Sequence, residues 1–142
     1  ETKVAGQGLT VRDLMITKIV ALPVHATLQH AVDALLAGEQ REFPVVDNWG
    51  RVEGMLTRDG LIRGLSELGG GASVERAMTP AVPALALALP FEEALNRLGL
   101  SGLPALPVVD EGGSLVGLLT RENVADVLLV RRAGVEFPPR TG

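Results

Sequence analysis

The sequence predicts an α/β fold assembled twice over, as two tandem units that each run strand, helix, strand, strand, helix. Two observations carry this reading. "FPVVDNWGRVEGMLTRDG" at 43–60 returns as "LPVVDEGGSLVGLLTREN" at 106–123, an ungapped offset of 63 residues. Over a wider span, residues 11–62 align with 74–125, and fifteen of the 52 pairs are identical. Such a repeat constrains the architecture before any single residue does. Within each copy the apolar pattern also switches between the strand and the helix period.

Taken in order, Thr10 with Asp13 three residues later makes a capping-box pattern for a short helical turn ending near Met15, and Ser73 holds the same place before Met78. "KIVAL" (18–22) and "AVPAL" (81–85) read as short strands. Thr27 caps "LQHAVDALLA", in which Leu28, Ala31, Val32, Leu35 and Leu36 fall at helical spacing and Gly38 stops the run. Pro90 stands where a first-turn proline is tolerated, ahead of "FEEALNRLGL". "FPVV" and "RVEGML" are strands joined by the turn "DNWG", and "DEGG" turns the second pair. Thr57 and Thr120 cap closing helices that run through Leu68 and to about Arg131. The first unit thus covers 9–68 and the second 74–133. "GGGAS" at 69–73 is a glycine-rich linker expected to act as a hinge, and 134–142 a flexible tail.

Composition narrows the function. With 46% apolar and 21% charged residues, the 142-residue chain is globular. Aromatics are only 3% and the net charge is −4, so base-stacking platforms and a basic face are both missing, which speaks against nucleic acid. There is no cysteine, hence no disulfide framework or thiolate metal site. No apolar run reaches the roughly 18 residues of a membrane span, and no signal peptide is visible. The chain starts at Glu1 without a methionine, which suggests a piece of something longer.

The chemistry concentrates at the strand-to-helix junctions "GMLTRDG" and "GLLTREN". Thr57 and Thr120 each set a hydroxyl beside the unpaired N–H groups of a helix start, and Arg58 and Arg121 add positive charge there. That is an anion site suited to phosphate. Equally, each threonine is a plain cap and each arginine a solvated side chain. His25 and His30 are five apart, off the spacing of a helical zinc pair, and read as a loop and a surface residue. "GGGAS" lacks the Gly-Lys-Ser/Thr of a phosphate loop. No Ser–His–Asp grouping can be assembled, so no enzyme is expected within this chain. Trp49, in a turn, reads as a surface or contact residue.

On "DLM" and "RAM", "FPVVD" and "LPVVD", and the two junctions, the chain resembles a pair of cystathionine-β-synthase (CBS) domains across about residues 9 to 133. The resemblance implies two units packed through their sheets about a pseudo-twofold axis. It also implies clefts for adenosine nucleotides that control an attached enzyme, channel or transporter. Residue by residue, it implies that Thr17 to Val20, and their twin stretch around Pro80, line a wall. The backbone at Phe43–Pro44 and Leu106–Pro107 would face the base, and Thr57 and Thr120 would meet the phosphate. The family's ribose-binding aspartate lies three residues beyond the threonine, where this chain has Gly60 and Asn123. Asp59 and Glu122 stand one residue too early, about 100° round a helix, and are expected to point elsewhere. The two clefts are therefore expected to be unequal, with the one containing "LTREN" the better binder.

"QREFPVVD", "SGLPALPVVD" and "GLLTRENVADVLLVRRA" are similar to the soluble CBS pair of bacterial site-2-protease-type intramembrane zinc metallopeptidases. This implies a protease upstream that holds the only zinc, and a module on the cytoplasmic side tethered through helices outside this chain. The expectation is a regulatory module with no required cofactor, taking AMP, ADP, ATP or S-adenosylmethionine as ligand. A homodimer is expected from its exposed apolar stripes. The alternative is a module with empty clefts that serves only dimerisation.

Overall fold

The computed structural model describes residues 8–136, so residues 137–142 of the expected tail lie outside the described residues. Strands β1 (Leu22–Pro23), β2 (Phe43–Val46), β3 (Val52–Leu56) and β4 (Thr79–Pro80) form one sheet in that order. Strands β5 (Leu85–Ala86), β6 (Ala105–Val109) and β7 (Leu115–Thr120) form the other. Helices α1 (Val11–Leu14), α2 (Leu28–Ala37), α3 (Arg58–Leu68), α4 (Phe91–Ser101) and α5 (Arg121–Arg132) complete the mixed α/β fold.

The sequence repeat is also a repeat of register. Leu22 lies opposite Val45 in a parallel pair, and Leu85 opposite Val108. Phe43 faces Leu56 across one antiparallel hairpin, and Leu106 faces Leu119 across the other. The shared Asp-to-Gly turns have a local cause. Asp47 Oδ1 accepts from the N–H groups of Trp49 and Arg51 at 2.8 and 3.0 Å, and Asp110 Oδ1 from those of Gly112 and Ser114 at 2.9 and 3.0 Å. Gly50 and Gly113 close the turns at φ +79° and +85°, where a side chain would be strained.

Three local expectations are corrected. Thr10 and Asp13 do form their capping box, with the Thr10 N–H donating to Asp13 Oδ2 at 2.9 Å, but Ser73 makes no side-chain cap. The residue three beyond Ser73 is Arg76, which has no acceptor to return, and the turn Val74–Arg76 is 3₁₀. The stretch 18–21 is not strand. Val20 is bonded at both its N–H and its C=O by the Gln40 side chain instead of by a neighbouring strand. In the twin stretch Pro83 has no N–H to give, and Ala81 sits at φ +53°. Finally, the glycine linker is pinned rather than hinge-like. The first N–H groups of α2, at Leu28 and Gln29, donate to Ala72 and Gly70 carbonyls at 2.8 and 2.9 Å. A helix start has no carbonyls of its own for these groups, and the linker supplies them.

Each copy has an aliphatic core, and the leading turns are traded between them. Val74 is buried with Leu22, Leu28, Phe43, Leu56 and Leu61 of the first copy. Leu9, Val11 and Leu14 are buried with Leu85, Leu98, Leu106 and Leu119 of the second. A third cluster of Met55, Ala105 and Leu118, with Ile19 and Val82 against it, joins the copies. Met55 and Leu118, like Ile19 and Val82, are twins at the repeat offset. The backbone bridge Ile16–Leu118 likewise has its twin in the pair Thr79–Met55, so the copies meet about a pseudo-twofold axis.

A candidate ligand cleft between the two copies

Trading the leading turns brings both copies to one cavity of about 710 Å³, within the roughly 300–1,000 Å³ common for small-molecule sites. One wall is the irregular stretch Ile16, Lys18, Ile19 and Val20. The second is the end of α2, with Ala34 and Ala37, and the loop from Gly38 to Glu42. The third belongs to the other copy, with Pro104, Leu118, Thr120, Arg121, Glu122, Asn123 and Asp126.

Gln40 fastens the first two walls together. Its Oε1 accepts from the Val20 N–H at 2.8 Å, and its Nε2 donates to the carbonyls of Val20 and Glu42, both at 2.9 Å. The repeat twin of Gln40 is Leu103, whose side chain cannot make the same brace at the twofold-related position.

The start of α5 is closely bonded. Thr120 Oγ1 accepts from the Asn123 N–H at 3.0 Å, which caps the helix and leaves the hydroxyl proton to donate elsewhere. The Arg121 N–H donates to the Pro104 carbonyl at 3.0 Å. Arg121 lines the cavity, but part of its guanidinium is turned away from it. Its Nε donates to the Leu103 carbonyl at 2.9 Å and its Nη2 to the Leu98 carbonyl at 3.0 Å, so the guanidinium closes off the C-terminal end of α4. Carbonyls there lack helical partners and carry the negative end of the helix dipole. Asn123 Nδ2 donates to the Leu14 carbonyl at 2.6 Å, leaving its Oδ1 as an acceptor.

Of the residues singled out from sequence, Val20, Thr120, Arg121 and Asn123 line this cavity, and the others do not. Thr17 is exposed beside it. Phe43 is 1% exposed and points into the first core, with Pro44 buried after it. Leu106 and Pro107 are buried in β6. Thr57, Arg58 and Pro80 belong to the twofold-related position. There Thr57 Oγ1 caps α3 by accepting from the Gly60 N–H at 3.0 Å. A side chain at Gly60 would meet Thr57 Oγ1 at 3.1 Å and the Ala77 carbonyl at 3.3 Å, so this twin of Asn123 stands against backbone.

Sequence reasoning missed much of the cavity's charge. Glu122, expected to point elsewhere, lines it, and so does Asp126 four residues on, the spacing that puts two side chains on one helix face. Glu39 and Glu42 add two more carboxylates from the α2–β2 loop, against Lys18 and Arg41. Burial pushes the Glu42 carboxyl above the ordinary carboxylate range. The Arg58 backbone N–H and Arg41 pull it down, while Asp59 and Glu122 push it further up. The signal available in the sequence was a departure from the repeat, since the twin of Glu42 is the apolar Ala105.

The CBS domain model matches this chain twice, at residues 11–67 and 74–130. The chain belongs to the CBS domain family. Its two CBS units share 31% identity over 122 residues with L-aspartate semialdehyde sulfurtransferase of Methanosarcina acetivorans. The match covers 86% of this chain but 24% of the relative, so the chain spans about a quarter of that protein's length. The CBS-pair protein CBSX2 of Arabidopsis thaliana, solved in complex with AMP, is similar at 26% identity and a TM-score of 0.76, covering 88% of this chain and 99% of that one. The cytosolic domain of the Mg²⁺ channel MgtE, solved with ATP, is 30% identical at a TM-score of 0.68, covering 80% of this chain and 46% of that one. Among the described residues, no group of His, Asp and Glu side chains is arranged to hold a metal, and no helix is long and apolar enough to cross a membrane.

Proposed function

We propose that this CBS pair is a non-catalytic regulatory module that binds one adenosine-type ligand between its copies and passes the occupancy to an attached domain. The observation that carries the reading is the 710 Å³ cavity, to which both copies contribute walls. A ligand there favours one relative placement of the copies, and differential affinity of this kind is all a regulatory response requires. AMP in CBSX2 and ATP in MgtE support an adenosine compound, with ADP and S-adenosylmethionine as further candidates. The Thr120 hydroxyl and Asn123 Oδ1 are the polar groups proposed to orient it. Gly60 has no side chain to match Asn123, so one ligand per chain is proposed. The attached domain is proposed, on the likeness of the closing helix, to be a site-2-protease-type metallopeptidase. Reading the neighbouring coding sequence tests that part.

A second reading, a ligand-free dimerisation module, is favoured by one observation: Thr120 caps its helix and Arg121 is already engaged. A thermal-shift panel of adenosine, AMP, ADP, ATP and S-adenosylmethionine separates the two. Binding to the native state raises Tm by mass action. A concentration-dependent rise that Thr120→Val diminishes and Thr57→Val leaves alone supports the regulatory reading. No rise with any compound supports the ligand-free module.

A further inference from the structure

We infer that Glu42 is a charge filter, making this cleft select adenosine ligands whose 5′ substituent is neutral or cationic over those that carry a polyphosphate. The inference rests on the adenosine reading above and adds the class of ligand. Three features of the cleft point the same way.

Glu42 lines the cavity from the loop before β2. Charged groups reach it from several elements: Arg41 beside it, Asp59 on α3 and Glu122 on α5, with the Arg58 backbone N–H close enough to favour its ionised form. Two like charges and partial burial already disfavour its ionised form. A further negative charge placed nearby is opposed by the same field, which salt screens in part because Glu39, Glu122 and Asp126 are exposed.

The features that attract phosphate to a helix start are also muted. The N–H groups of Arg121 and Asn123 are taken by the Pro104 carbonyl and Thr120 Oγ1, and the Arg121 guanidinium by α4. Glu122 stands in the first turn, where a carboxylate complements the helix dipole and an incoming phosphate must compete with it.

The balance of charge completes the case. Glu39, Glu42, Glu122 and Asp126 line the cavity against Lys18, Arg41 and Arg121, so carboxylates outnumber cations, and the Arg121 guanidinium is partly turned to the α4 carbonyls. A sulfonium or ammonium group on the 5′ side meets attraction here, and a triphosphate meets repulsion. Discrimination by placing a like charge in the path of the wrong ligand is a general device.

The test is calorimetric titration of adenosine, S-adenosylmethionine and ATP into wild type, Glu42→Gln and Glu122→Gln, at fixed ionic strength with a chelator present. Wild type should bind adenosine and S-adenosylmethionine at least about tenfold more tightly than ATP. Each amide variant should narrow the adenosine-to-ATP gap by about three- to tenfold through tighter ATP binding, leave adenosine unchanged and weaken S-adenosylmethionine. Lowering the pH toward the ordinary glutamate range should shrink the ATP disadvantage more in wild type than in Glu42→Gln, because burial makes Glu42 take up its proton ahead of an ordinary carboxylate. ATP binding as tightly as adenosine in wild type, or an adenosine-to-ATP ratio unchanged in Glu42→Gln, overturns the filter while leaving the adenosine reading intact. If none of the three compounds binds any of the proteins, the adenosine reading falls and the filter with it.

Discussion

The side-chain amide of Asn123, in the first turn of α5, donates to the backbone carbonyl of Leu14 at 2.6 Å, joining residues 109 positions apart in the chain. Leu14 is 1% exposed and sits in the second core on the traded leading turn. The residue expected from the resemblance at the ribose position is therefore a clasp between the end of one copy and the start of the other. An ionised aspartate there could only accept, and would face a carbonyl oxygen.

Asn123→Asp should accordingly lose about 1–3 kcal/mol of stability at neutral pH, the cost of removing one partner of a partly buried hydrogen bond. The loss should shrink as pH falls through the new carboxyl's titration, since the protonated acid can donate again. Urea denaturation at about pH 7 and about pH 4 checks both magnitude and sign.

The two junction glycines should tolerate no side chain. A Cβ at Gly117 would lie 2.7 Å from Met15 Sδ and 3.0 Å from the Ile16 carbonyl, and one at Gly54 2.5 Å from the Thr79 carbonyl. Gly54→Ala and Gly117→Ala should each cost about 1–3 kcal/mol or more, the range for overpacking. Gly54→Ala should be the worse, because backbone cannot move aside as a methionine can. Thermal melts of the two variants beside wild type give the order.

The reasons for these glycines were only half legible in the sequence. The repeat, the threonine caps, the Asp-to-Gly turns and the closing helices all follow from local rules, and those rules act within a few residues. The trade of leading turns does not. Val11 and Val74 are identical twins, so either suits either core, and nothing local says which copy each one enters. The cavity was legible at Thr120 and Arg121, where the repeat holds, and at Val20 and Asn123, to which the family resemblance pointed. Gln40, Glu42 and Asp126 have the twins Leu103, Ala105 and Arg63. A reading built on likeness between the copies passes over the residues that make one cleft different from the other.

Glu42→Gln should raise Tm at neutral pH. A carboxyl whose folded pKa is raised binds its proton more tightly in the native state, so it favours folding at low pH and disfavours it once ionised. The wild type should lose stability relative to the variant as pH rises from the ordinary glutamate range through the raised folded value. The difference should vanish well below the ordinary range, where both are neutral. Melting curves across about pH 4 to 8 test the sign.

Exposed apolar side chains on three helices, Leu36 at 78%, Leu100 at 81% and Leu129 at 63%, are proposed to lie at a homodimer interface. Light scattering at tens of micromolar, roughly where weak interfaces persist, should give twice the 14.9 kDa of one chain. Leu129→Lys should shift that value toward the monomer if the α5 surface takes part.

The most direct measurement is an amide chemical-shift titration of the ¹⁵N-labelled chain with adenosine, since it reports both whether the ligand binds and where. The cleft proposed here places the largest shifts at Lys18 to Val20, Gln40 to Glu42 and Thr120 to Asn123, saturating at one ligand per chain. Of the twofold-related junction only the Arg58 amide, beside Glu42, should move, and the Thr57, Asp59 and Gly60 amides should stay within the background. The account is contradicted if no amide moves up to about millimolar adenosine, or if the largest shifts fall at Thr57 to Gly60.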